Sequence, residues 1–391
     1  MPLWRRYVTV LVTVGATLAA ATSTVVAAPI GVPISPGGSA IAWGESNSYR
    51  QLDVPELPDG LTYTAVAAGQ EHSLALRSDG QVVAFGRNLG GETNVPALPP
   101  GITYTAVAGG SYHSLALRSD GQVVGFGRDE FGETIAPLLP AGSRYTAVAA
   151  GQQHSLALRS DGQVVGFGDN GSEQTDVPSL PTGLTYTAIA AGTEYSLALR
   201  SDGKVILFGA GRGTLPPGVC ERTCAPENPP VCTWLCIDFT RTYTGIAAGF
   251  GHALALRVDG RIVGFGANAE GQLDVPSLPV GVVYTAVAAG IFHSVALRSD
   301  GQVVYFGRFP DNNVVPALLP GAQYVAIAAG HQHSLAISTC GLLCDLGRDI
   351  PETIPDFFRR LCPDLLRDQW PCGPGPLLPS PFRPWELPRP S

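Results

Sequence analysis

One phrase recurs along the chain and restricts what it can fold into. Tyr63-Thr-Ala-Val-Ala-Ala-Gly69 leads into His72-Ser-Leu-Ala-Leu-Arg-Ser-Asp-Gly80 and then Gln81-Val-Val-Ala-Phe-Gly86. The opening aromatic returns at Tyr104, Tyr145, Tyr186, Tyr243, Tyr284 and Tyr324, at spacings of 41, 41, 41, 57, 41 and 40 residues. Self-similarity with a period of about 40 residues marks a propeller or a solenoid. No segment sustains a helical period, which excludes a helical solenoid.

Each unit reads as short strands. Ser73-Leu-Ala-Leu and Val82-Val-Ala-Phe flank Arg77-Ser78-Asp79-Gly80, a hairpin turn with glycine where positive φ is wanted. The run from Tyr63 to Ala68 is rich in alanine, and small side chains let strands crowd near a propeller axis. A fourth segment, Glu92-Thr-Asn-Val-Pro96, completes the unit, its proline suited to an edge strand. Four antiparallel strands make one blade. Seven Tyr-to-Gly phrases predict an all-β, seven-bladed β-propeller over residues 39–347.

Two segments compete to complete the last blade. An orphan half-unit, Ser39-Ala-Ile-Ala-Trp43-Gly44 followed by Gln51-Leu-Asp-Val-Pro55, precedes the first full repeat. The last repeat also carries Gly341-Leu-Leu-Cys-Asp-Leu-Gly347. The N-terminal half-unit keeps the consensus better and is expected to close the ring.

The two ends differ from the repeats. Arg5 and Arg6 precede an apolar or small-residue run from Val8 to Ala28 ending in Val26-Ala27-Ala28, the pattern of an export signal over residues 1–28. The expectation is a secreted protein with no span left after cleavage. If the segment stays uncleaved, it is just long enough to anchor the chain at the cell surface. Residues 29–38 form a linker, and residues 348–391 a proline-rich tail. Within that tail Phe357, Phe358, Leu361, Leu365 and Leu366 could make one short helix. The net charge is −8 with no basic cluster, so nucleic acid is not an expected partner.

The phrase Val-Ala-Ala-Gly-x-x-His-Ser-Leu-Ala-Leu-x-Ser-Asp-Gly resembles the regulator-of-chromosome-condensation repeat. The short repeat and the opening Ala-Trp-Gly half-unit look most like the secreted bacterial type, that of the propeller-type β-lactamase inhibitory proteins. The resemblance implies a seven-bladed propeller acting through loops on one face. Members include exchange factors, inhibitors and scaffolds, so the fold selects no single function. A nuclear exchange-factor role fits poorly with an export signal and no basic tail.

Six histidines share one repeat position: His72, His113, His154, His252, His293 and His333, with Tyr195 in the fourth repeat. A catalyst needs one or two such groups, and a repeated residue most simply performs a repeated structural task. Arg77, Arg118, Arg159, Arg200, Arg257 and Arg298, beside their Ser-Asp-Gly or Val-Asp-Gly turns, read as structural for the same reason. There is no Gly-x-Ser-x-Gly elbow, no His-Glu-x-x-His and no phosphate-binding glycine loop. The expectation is no catalytic residue, no metal and no cofactor. Propeller lyases and hydrolases with a site at the channel mouth are the enzyme alternative.

Eight cysteines form two groups. Cys220, Cys224, Cys232 and Cys236 lie in an insertion over 210–241 that lengthens the fourth period to 57 residues; Cys340, Cys344, Cys362 and Cys372 lie at and beyond the last repeat. An even count in an exported chain favours two disulfides in each group over a zinc site. Each group allows three pairings.

Strand alternation places the Gln70-Glu71 loop and the Arg87–Gly91 loop on one face, called the top, and the Ser78-Asp79-Gly80 turn on the bottom. Top loops vary between repeats, whereas bottom turns are nearly constant. The top loops carry Tyr49, Tyr112, Phe131, Phe250, Phe292 and Phe309, and the cysteine-bearing insertion also leaves from the top at Gly209. Clustered exposed aromatics are typical interface anchors. These features predict a monomeric binding module for a protein partner, possible as an enzyme inhibitor, with carbohydrate as the alternative ligand.

Overall fold

The computed structural model describes residues 38–210, 219–225, 231–236, 242–308, 315–318 and 320–339. The export signal, most of the linker, Phe309, the rival strand at 341–347, the four C-terminal cysteines and the proline-rich tail lie outside the described residues.

The chain opens with β1 (Ser39–Gly44). Blade one follows as β2 (Tyr63–Ala68), β3 (His72–Arg77) and β4 (Val82–Gly86), and blade two as β5 (Tyr104–Gly109), β6 (His113–Arg118) and β7 (Val123–Gly127). Blade three is β8 (Tyr145–Ala150), β9 (His154–Arg159) and β10 (Val164–Gly168). Blade four holds β11 (Tyr186–Ala191), β12 (Tyr195–Arg200) and β13 (Val205–Gly209), joined by β14 (Val219–Ala225) and β15 (Val231–Cys236) from the insertion. Blade five is β16 (Tyr243–Ala248), β17 (His252–Arg257) and β18 (Ile262–Gly266); blade six is β19 (Tyr284–Ala289), β20 (His293–Arg298) and β21 (Val303–Gly307). Among the described residues blade seven has β22 (Tyr324–Ala329) and β23 (His333–Ser338) of its own, and β1 pairs antiparallel with β23 from Ser39↔Ser338 to Gly44↔His333.

No single core exists. Seven apolar layers each join one blade to the next. Ala65, Ala67, Leu74 and Leu76 of blade one, for example, meet Tyr104, Val107, Ala116 and Phe126 of blade two. The strands are buried on both faces, which is why they read as continuous apolar runs. β1 fits the same scheme: Trp43 and Ile41 join the layer facing blade six, Ala40 and Ala42 the layer facing blade one. This is the period of two that a strand between two neighbours requires.

One expectation needs correction. The blades were expected to have four antiparallel strands, but among the described residues six of the seven sheets have three and blade four has five. The fourth segment forms local turns instead: Asn94 N–H donates to Gly91 O, and Val95 N–H to Thr93 O. Those donors are consumed within the segment, and Pro96 has none to offer a ladder. The insertion, which leaves blade four at Gly209, adds strands to that blade. Its β14 pairs in parallel with β13 (Ile206↔Cys220), and β14 pairs antiparallel with β15, so the insertion widens blade four at its edge.

Candidate functional site

The two ends of the blades differ in chemistry. At the bottom, the Ser78-Asp79-Gly80 turn closes β3 to β4, with Gly80 at φ +76 and Gly80 O accepting from Tyr104 N–H of the next blade. Arg77 pairs with Asp79 within the turn, and the same pair recurs in five further blades. Such surface pairs contribute little individually. At the other end His72 lies opposite Gly86, and Arg87 N–H donates to Glu71 O at 2.8 Å. The β2–β3 loop and the loop after β4 therefore share one face, the top.

The repeated histidines lie just beneath that face, inside the walls. His72 Nε2 lies 2.9 Å from Ser114 Oγ of the next blade, and the same bond joins His113 to Ser155, His154 to Ser196, His252 to Ser294 and His293 to Ser334. His333 reaches Ser73 at 3.0 Å, linking blade seven to blade one. Ser73 Oγ donates to Gln51 O, and Ser114, Ser155, Ser196 and Ser294 donate to Glu92, Glu133, Gln174 and Gln272 carbonyls. A hydroxyl has one proton, so once it has donated it can only accept. That assigns the ring proton to Nε2 in each histidine these serines face. Burial, the first cause in each case, lowers the histidine pKa values to about 3 at His72, His154 and His293 and about 4 at His113, His252 and His333. These imidazoles are neutral and sealed between blades, so they present no base to a substrate at the surface.

The glycine that ends each inner strand follows from the histidine. A Cβ added to Gly69 would run into Cε1 of His72 and the carbonyl oxygen of Gly110. The same collision recurs at Gly110, Gly151 and Gly290 with their own histidines. Beyond these glycines the chain circles the channel mouth. Gln70 N–H donates to Gly110 O, Ser111 to Gly151, Gln152 to Gly192, Phe250 to Gly290 and His331 to Gly69. The mouth holds a cavity of about 90 Å³, rimmed by the side chains at Gln70, Ser111, Gln152, Thr193, Phe250, Ile291 and His331. Phe250 and Ile291 make an apolar sector over blades five and six, and the other five rim residues are polar.

The aromatics expected to bind occupy different settings. Tyr49 is 39 % exposed, and Phe131 and Phe250 are each 48 % exposed. Tyr112 and Phe292 are half-buried. Guanidinium carbons of Arg87 and Arg128 lie 4.8 and 5.6 Å from the Tyr112 ring centroid, and that of Arg308 lies 5.7 Å from Phe292. These two rings are covered by arginines and are weaker anchors than the exposed three. Phe309 lies outside the described residues. The exposed rings do not form one cluster: Tyr49 stands on the connection from β1 to blade one, Phe131 on that from blade two to three, and Phe250 on the channel rim.

The structure adds apolar residues that the aromatic search missed. Ile135 and Leu138, on the same connection as Phe131, are 64 % and 98 % exposed. Aligned connections carry Asp53, Asn94, Asp176 or Asp274 where Ile135 stands, and each of those residues bonds the side chain of an asparagine six residues earlier. Aligning the connections rather than searching for aromatics makes the substitution visible in the sequence. Among the described residues no group of three or more His, Cys, Asp or Glu is placed to hold a metal ion.

The fold defines a β-propeller, and the sequence family agrees. The regulator of chromosome condensation (RCC1) repeat matches residues 63–92, 104–133, 145–174 and 243–272. Four of the seven repeats thus carry the RCC1-repeat pattern. A structure of Kap60 bound to yeast RCC1 (Prp20) is similar, with a TM-score of 0.61 and 20 % identity over 81 % of this chain and 92 % of that one. Prp20p of Saccharomyces cerevisiae, described with its binding properties to Gsp1p and histones, gives 0.60 at 20 % identity, covering 81 % and 96 %. Human WBSCR16 gives 0.59 at 16 % identity, covering 78 % and 99 %. At such identities the likeness is one of fold. No curated protein sequence matches the chain.

Proposed function

We propose that the protein is an exported, non-catalytic binding module that grips a protein partner with its top face. The carrying observation is the division of labour between positions. Residues repeated from blade to blade hold the blades together, while residues that break the repeat put apolar groups on the top loops and the connection beside them. Phe131, Ile135, Leu138 and Phe250 are exposed where aligned repeats mostly carry small or polar residues. Well-exposed apolar anchors of this kind supply most of the energy in protein interfaces. The solved complex of yeast RCC1 with Kap60 supports a protein partner for this fold. Arg5, Arg6 and the apolar run to Ala28 support export. Inhibition of a secreted or cell-wall enzyme is the specific form of this reading, since a face rich in varied loops can occupy another protein's cleft without doing chemistry.

The test is capture of partners from the native secreted fraction by the purified chain and by the Phe131→Ala, Phe250→Ala, Ile291→Ala variant. Loss of even two of these three anchors at about 2 kcal/mol each corresponds to roughly 1,000-fold weaker binding. The captured protein is then assayed for enzyme activity with and without the propeller. Equal recovery by both versions, with unchanged thermal unfolding, overturns the top-face reading. Binding to glycans with no protein captured would replace it by a carbohydrate-binding role.

A further inference from the structure

We infer that the insertion in blade four is closed by two cross-strand disulfides, Cys220–Cys236 and Cys224–Cys232. The argument rests on strand register and does not depend on the proposed function. In the antiparallel pair of β14 and β15, Cys220 lies opposite Cys236 and Cys224 opposite Cys232. Directly opposed residues have Cα atoms about 4.5–5.5 Å apart. Disulfides need Cα separations of about 4.4–6.8 Å.

The two other pairings fail by length. Cys220 and Cys224 are four residues apart on one strand, as are Cys232 and Cys236 on the other. Four residues of strand span about 13 Å, and the diagonal pairings Cys220–Cys232 and Cys224–Cys236 carry the same offset. The same distance disposes of one zinc ion held by four thiolates, because zinc–sulfur bonds of about 2.3 Å require all four sulfurs to converge. A hairpin at a sheet edge, with no blade beyond it in its own sheet, is also where cross-links add most to a weak core.

Formation of each bond is an exchange. One cysteine thiolate attacks an oxidised disulfide donor, such as an exported thiol–disulfide oxidoreductase, and forms a mixed disulfide. The opposed cysteine then displaces the donor's second sulfur. Two thiol protons leave the chain, and its two electrons reduce the donor to a dithiol.

The cleavage sites in the hairpin make the pairing readable. The full chain is exported through an oxidising compartment, its free thiols are blocked in acid, and it is digested without reduction by trypsin and chymotrypsin. Cleavage after Arg222 and Trp234 separates Cys220 from Cys224 and Cys232 from Cys236. The expected products are one peptide, Thr223–Trp234, with an internal bond between Cys224 and Cys232, and a Cys220 peptide linked to a Cys236 peptide. In the Cys220→Ser, Cys236→Ser variant the internal bond persists and the linked pair disappears. Four blocked thiols, retained zinc, either other pairing, or a link to Cys340, Cys344, Cys362 or Cys372 overturns the assignment.

Discussion

At Tyr195 the repeat changes its chemistry for a reason that lies elsewhere in the chain. In five blades the serine beside the histidine donates to a carbonyl of the preceding connection, at Gln51, Glu92, Glu133, Gln174 or Gln272. The side chains at those positions also pin the connection, as when Glu92 accepts from Gly90 N–H. Blade five carries Ala253 in place of the serine. A histidine in blade four would face a methyl group. Tyr195 is longer, and its hydroxyl donates across the junction to the backbone at His252 O (2.6 Å), with Gly249 O 3.1 Å away. Tyr195→Phe removes that donor from a buried site and should cost about 1–3 kcal/mol. Tyr195→His should cost at least as much, although it restores the family residue, because no serine awaits it. Chemical denaturation checks both. A Tyr195→His variant as stable as the parent would show that the junction does not depend on this contact.

At the scale of elements, the repeated tyrosine governs the connections. Tyr104 OH donates to Pro96 O, and Tyr63, Tyr145, Tyr186, Tyr284 and Tyr324 each reach the carbonyl of the proline eight residues earlier. The opening residue of a blade thus ties down the irregular segment that leads into it. Tyr104→Phe keeps the ring's packing and loses the tie. It should destabilise by about 1 kcal/mol and raise amide exchange at Val95 and Leu98 ahead of the strands. Unchanged exchange there would assign the tyrosine to packing alone. Much of this organisation is legible in the sequence. The period gives seven blades, the apolar runs give β3 and β4, and glycine marks the Asp79-Gly80 turn. The fourth strand is misread because Glu92–Pro96 has strand-like composition, while its backbone donors close local turns that composition does not reveal. The β14–β15 hairpin has a signal in two runs rich in Val, Thr, Trp and Cys flanking Pro226–Pro230. The top-face site is only partly legible, because an aromatic residue in a loop says nothing about whether an arginine covers it, as Arg87 and Arg128 cover Tyr112.

Across the whole molecule, the histidines make the ring a single acid-sensitive unit. Six of the seven junctions carry a His–Ser bond and the remaining one carries Tyr195, and His333 to Ser73 joins the last blade to the first. The unfolded chain titrates its histidines near the ordinary value of about 6.5. In the folded ring, burial holds the six at about 3 to 4. Their folded-state pKa values are lowered, so above about 6.5 both states are neutral and stability does not depend on these groups. Between about 6.5 and 4 only the unfolded chain binds the protons, and stability falls as the pH falls. At pH 5.5 each histidine costs on the order of 1 kcal/mol, and more at pH 4.5. Six together reach on the order of 10 kcal/mol by pH 4.5, comparable with the whole stability of about 5–15 kcal/mol typical of a folded domain. The propeller should therefore unfold cooperatively between about pH 5.5 and 4.5, with a limiting dependence near 8 kcal/mol per pH unit. His154→Gln removes one titrating group and should lower that slope by about 1.4 kcal/mol per pH unit, whatever it does to stability at neutral pH. Denaturant titrations at several pH values measure both quantities. A Tm that holds level from pH 7 to 4 would mean that the buried imidazoles take up protons in place, and that the His–Ser ring tolerates charge between its blades.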